Sequence, residues 1–65
     1  MRIKDLRKLL KKLGCEEVRQ EGSHLVVRCG DCTAVLVIHG NEISAGTLRN
    51  IRDTLIPCLG EGWLR

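Results

Sequence analysis

The sequence predicts an α+β domain of order α-β-β-β-α, a three-stranded antiparallel sheet with two helices packed on one face. Three observations predict it. Ile3, Leu6, Leu10 and Leu13, with Leu9 beside them, recur at helical spacing. The apolar period then drops to two across residues 16–38, interrupted by two glycine-containing hairpin signals. A second helical stripe opens after Ser44.

The first helix is expected over residues 2–13, where lysines and arginines fill the face opposite the leucines. Gly14 supplies its C-cap. Strands are expected over 16–20, 23–29 and 32–38, separated by Glu21-Gly22 and Gly30-Asp31. Those turns pair Gln20 with Ser23 and Cys29 with Cys32, and set His24 opposite Val37. Alternation puts Leu25, Val27, Ala34, Leu36 and Ile38 toward the helices. The other face carries His24, Val26, Arg28, Thr33, Val35, Val37 and His39, a partly apolar surface suited to a partner. Ser44 is a good N-cap, and Leu48, Ile51 and Leu55 form the buried stripe of a second helix over 45–56, halted by Pro57. Residues 57–65, with Trp63, are expected to form a short packed tail.

Sixty-five residues suffice for one domain, and a chain this short buries only about 60% of its unfolded surface, so its core is marginal unless stapled. No apolar run is long enough to span a bilayer, and Met1-Arg2-Ile3-Lys4-Asp5 lacks the apolar stretch of a secretory signal. The expectation is a cytoplasmic protein with reduced thiols and no membrane partner. The net charge is only +3, but six of the eleven basic residues fall in the first twelve positions against one acid, Asp5. Such a cluster is the usual footprint of a polyanion binder, although a solvated helix face has the same composition.

Two segments carry more specific information. Val18-Arg19-Gln20-Glu21-Gly22-Ser23-His24 resembles the RQxGSH signature of HicA-type toxins. Ile38-His39-Gly40-Asn41-Glu42-Ile43-Ser44-Ala45-Gly46-Thr47-Leu48 and the following Arg49-Asn50-Ile51 resemble that family's second signature, a histidine-containing turn before a GTL helix start. The basic leading helix ending Lys11-Lys12-Leu13-Gly14 also fits, so the resemblance covers roughly residues 3–55. It implies a fold like the double-stranded RNA-binding domain. It also implies a toxin-type endoribonuclease that cleaves mRNA and is restrained by a HicB-type antitoxin. The family's functional histidine carries over to His24, with Gly22 and Ser23 as supports. The chain departs from the family pattern at Cys15, at Cys29-Gly30-Asp31-Cys32 and in its Pro57–Trp63 ending.

The chemistry suits the residue. Metal-free RNA cleavage needs a group that takes the 2′-OH proton or protonates the leaving oxygen, and an imidazole titrates near neutrality. No cofactor is needed for that step. Topology brings the start of the second strand, the end of the third and the start of the second helix to one pole, so His24, His39 and the amides around Gly46 and Thr47 are expected to converge on phosphate. Arg19 and Gln20 lie close by, and Lys8, Lys11 and Lys12 offer further RNA contacts. The plain alternatives are a turn-flanking histidine, a loop histidine and an ordinary helix start. A non-catalytic RNA-binding module on the same fold is the alternative function.

The opposite pole collects Cys15, Cys29, Cys32 and Cys58. Two readings stand side by side: a structural Cys₄ zinc site, which would turn metal binding into folding energy, or buried small hydrophobes beside a turn. A zinc-stapled interaction module is the corresponding third function.

Overall fold

A computed structural model describes residues 1–64, so Arg65 of the expected tail lies outside the described residues. The elements are α1 (Ile3–Lys12), β1 (Glu16–Glu21), β2 (His24–Cys29), β3 (Cys32–Val37) and α2 (Ala45–Leu59). The sheet is antiparallel in the order β1-β2-β3. This is the α-β-β-β-α fold that the sequence predicts, consistent with a double-stranded RNA-binding type of architecture.

The core forms where the two periodicities meet. Ile3, Leu6 and Leu10 of α1 and Ile51 and Leu55 of α2 are buried with Leu25, Val27, Ala34 and Leu36 of the sheet. Ile38, expected on the same face, is half-buried just past the end of β3. β1 is exposed along its whole length, so the sheet is covered mainly over β2 and β3. No helix among the described residues is long and apolar enough to cross a membrane.

The second hairpin pairs Cys29 with Cys32 and His24 with Val37 as expected. The first differs: Glu21 pairs with His24 and Gln20 with Leu25, leaving Gly22-Ser23 as the turn. Gly22 has φ +57° and Ser23 does not have positive φ. A two-residue hairpin turn with only its first position at positive φ wants glycine there. A Glu21-Gly22 turn would force the strain onto Glu21. Farther along, a bulge between Glu17 and Arg19 shifts the register and sets Glu17 opposite Val27. That shift turns Glu17 toward α1.

Pro57 does not halt α2, which continues to Leu59. Proline removes one N–H from the last turn but leaves the rest of the ladder intact. The Gly60 amide donates to the Ile56 carbonyl at 2.8 Å and closes the helix. Half-buried Leu59 and the bond from Cys58 hold the extra turn against the sheet. The tail then folds back, with Trp63 Nε1 donating to the Arg52 carbonyl at 3.1 Å and Leu64 buried.

The four cysteines gather at one pole, but as two disulfides, Cys15–Cys29 and Cys32–Cys58. Neither expected reading survives. No metal-holding group of His, Cys, Asp or Glu exists among the described residues; every cysteine sulfur is consumed in a disulfide and no thiolate remains for zinc. Nor are Cys15 and Cys58 inert hydrophobes, since one is half-buried and the other exposed. The expectation of reduced thiols is corrected with them. The physical reason is where the helices end: Cys15 follows α1 and Cys58 closes α2, so each meets a different strand. Each bond therefore clamps one helix to the sheet. In the chain-entropy account, links of 14 and 26 residues contribute about 3 and about 3.5 kcal/mol. That is a large share for a domain with so small a core.

Candidate nucleic-acid interface

The pole opposite the disulfides is built from backbone pairing. The Ser23 carbonyl accepts from the Ile38 amide at 2.8 Å, tying the first hairpin turn to the end of β3. His39 and Glu42 exchange backbone hydrogen bonds of 3.3 and 3.2 Å around Gly40, whose φ is +63°. The chain start braces this turn from the side. Ile3 N–H donates to the Asn41 carbonyl and Ile43 N–H to the Met1 carbonyl, both at 2.9 Å. The terminal ammonium lies 3.5 Å from the Glu42 carboxylate.

His24 is exposed and alternates with buried Leu25, so it projects from the sheet face away from the helices. Neither His24 nor His39 has a side-chain hydrogen bond or ion pair among the described residues. The register decides what surrounds His24. Glu21 is its partner on β1 and half-buried Val37 its partner on β3. Directly opposite residues hold their Cβ atoms about 4.5–5.5 Å apart. Arg19 pairs with Val26 on the same face and lies 3.6 Å from the Glu21 carboxylate. Gln20 is committed to the turn, its amide donating to the Gly22 carbonyl at 3.3 Å.

The start of α2 is at this pole too, but the helix packs on the other side of the sheet from His24. Ser44 caps it: its hydroxyl oxygen accepts from the Thr47 amide at 3.3 Å and donates to the Thr47 hydroxyl at 2.9 Å. The protein thereby uses one donor of the expected phosphate cradle itself. Gly46 faces open space, and the first turn carries no acid to repel an anion. The structure brings His24, His39, Gly22, Ser23 and the Gly46-Thr47 turn to one end, though not to one point.

The lysines are elsewhere. Lys8, Lys11 and Lys12 are exposed on α1, with Lys11 and Lys12 in its last turn, toward the disulfide pole. Lys8 and Lys11 border a crevice of about 620 Å³ between α1 and the sheet, floored by Ile3, Leu10 and Val27. Arg7, on the same rim, is committed to Glu17 by two hydrogen bonds of 2.7 Å. That pairing holds the Glu17 carboxyl below its ordinary range, chiefly through the hydrogen bond from Arg7. It raises the Arg7 guanidinium for the same reason.

Arg2 and Lys4, which the sequence offers only as members of the basic cluster, and Glu21, which it does not single out, also lie at the His24 pole. Arg2 forms an isolated backbone β-bridge with Glu42, and Arg2 and Lys4 line a second crevice with Asn41 and Glu42 beside the His39 turn. Their position was readable, because a helix that ends at the start of β1 must begin at the other pole. Glu21 was hidden by the one-residue difference in turn placement, which otherwise sets Arg19 opposite His24.

No curated protein and no solved structure matches the chain. A comparison with protein families gives a clear result over all three strands and both helices up to Ile56. Residues 3–56 match the family described as HicA toxin of bacterial toxin-antitoxin, and the chain belongs to that family.

Proposed function

We propose that this HicA toxin is an mRNA-cleaving endoribonuclease in which His24 handles the proton. The observation that carries the reading is an unpartnered imidazole on an open sheet face, in its Gly22-Ser23-His24 turn, with Glu21 opposite. The 2′-oxygen forms a bond to the adjacent phosphorus as the bond from phosphorus to the 5′-oxygen breaks. His24 takes the 2′-OH proton or delivers one to the departing oxygen. DNA lacks that internal nucleophile, which accounts for RNA selectivity. Glu21 lies opposite His24 across the hairpin, and Arg19, on the same sheet face, is a cation for the phosphate. His39 and the Gly46-Thr47 turn contact RNA beyond the cleaved bond, as do Lys8, Lys11 and Lys12. No cofactor enters the step.

The family description also pairs such toxins with an antitoxin, and a HicB-type protein is the proposed partner, acting with mRNA in the cytoplasm. The open His24 face, with Val35 at 48% exposure, gives such a partner surface to cover.

The test is His24→Ala. RNA cleavage should fall by about 10²-fold or more, and growth inhibition should disappear, with the circular dichroism spectrum and melting unchanged. Equal cleavage by a well-folded His24→Ala protein overturns the catalytic assignment. RNA binding by a wild-type chain that never cleaves would instead support the binding-module function.

A further inference from the structure

The cysteine pole has a feature that the nuclease reading does not use. Cys29 and Cys32 are direct partners across the second hairpin, yet each is bonded to a cysteine at the end of a different helix. Opposite residues of an antiparallel pair hold their Cα atoms about 4.5–5.5 Å apart, within the range a disulfide spans. Cys29 and Cys32 therefore sit where they could bond each other. Access is also graded: Cys58 is exposed, Cys15 and Cys32 are half-buried, and Cys29 is 2% exposed.

We propose that Cys58 is the entry point of a thiol–disulfide exchange series that releases both helices for a net two-electron reduction. The co-reactant is a low-molecular-weight thiol. Its thiolate attacks Cys58 Sγ, forming a mixed disulfide there and breaking the Cys32–Cys58 bond. The electron pair leaves on Cys32. The Cys32 thiolate attacks Cys29 Sγ across the hairpin, forming Cys29–Cys32 and expelling the Cys15 thiolate. A second thiol then attacks the external sulfur of the mixed disulfide and frees Cys58. The products are one oxidised small-molecule disulfide, the Cys29–Cys32 bond, and free thiols at Cys15 and Cys58. Two bonds that anchor helices are exchanged for one that closes a two-residue turn and anchors neither. α1 and α2 are then held by noncovalent contacts alone. The site makes the fold of this domain responsive to the thiol redox state around it, and this does not depend on the nuclease reading.

The test uses the full oxidised chain titrated with reduced glutathione, quenched by alkylation at intervals and mapped by peptide mass. The expected sequence is a glutathione adduct on Cys58, then a Cys29–Cys32 bond with Cys15 and Cys58 alkylated. Melting should fall by about 15 °C or more as that species accumulates, and recover on addition of oxidised glutathione. The Cys32→Ser variant lacks the relay, so its Cys15–Cys29 bond should persist at thiol concentrations that convert the wild type. Opening of Cys15–Cys29 first overturns the proposal, as does a stable species with Cys15–Cys29 intact and Cys32 and Cys58 free. Wild-type mapping alone decides the matter should Cys32→Ser fail to fold.

Discussion

A single bulge at Val18 determines how α1 meets the sheet. With the extra residue absorbed there, Glu17 rather than Glu16 faces the helix, and Arg7 grips it with both guanidinium arms. Both side chains are more than a third exposed, at 45% and 40%, so solvent screening holds the pair to under about 1 kcal/mol. Its pH dependence has a definite sign. The folded Glu17 pKa lies below the unfolded one, so the stabilisation is fully present above the unfolded value of about 4.3 and is lost as pH falls through the folded one. Glu17→Gln should therefore melt up to a few degrees below the wild type at pH 7. The two melting curves should converge as the pH is lowered from about 4 toward 2. A gap that persists at pH 2 would assign the effect to packing instead.

At the scale of elements, α1 combines two roles on two faces. Its leucines complete the core, and its exposed lysines point away from it. Lys11 and Lys12 sit toward the disulfide pole and His24 at the other, so the proposed function assigns the helix to RNA remote from the bond being cut. Reversing Lys8, Lys11 and Lys12 to glutamate should raise KM and leave kcat near the wild-type value. On single-stranded RNA the slope of log affinity against log salt should shrink by roughly 0.7 for each phosphate no longer neutralised. Unchanged affinity and slope in a salt titration would make the helix a solvated face. The strands and helices themselves were legible in the sequence because burial imposes periods of two and 3.6 on apolar residues. The first turn was less so. Glycine can serve either loop position in a pattern of letters, and only the backbone reveals that Gly22 occupies the first.

The whole molecule is a thin core under strong covalent restraint. Leu36 is 0% exposed, while its neighbour Val35 is 48% exposed on the opposite sheet face. Leu36→Ala should cost about 2–5 kcal/mol and lower the melting temperature by well over 10 °C. Val35→Ala should stay within about 0.5 kcal/mol. Urea titrations of the two oxidised variants check the contrast, and comparable losses would mean that the two faces share one packed layer. The disulfides set the background for this measurement, since without them the same cavity would leave little folded protein to measure.

What the sequence determined by itself was the order of the elements, the inward face of the sheet, the second hairpin and the family. Each of these is written in local periodicity, in turn residues or in two short motifs. The gathering of four cysteines at one pole was also legible, since topology alone dictates which ends lie together. How the sulfurs pair was left to the tertiary structure, because pairing depends on the separate positions where α1 and α2 end against the hairpin. The residue facing His24 was decided there as well. Register is a relation between strands, fixed by the positive φ of Gly22 and the bulge at Val18 acting together, and neither strand's sequence contains it.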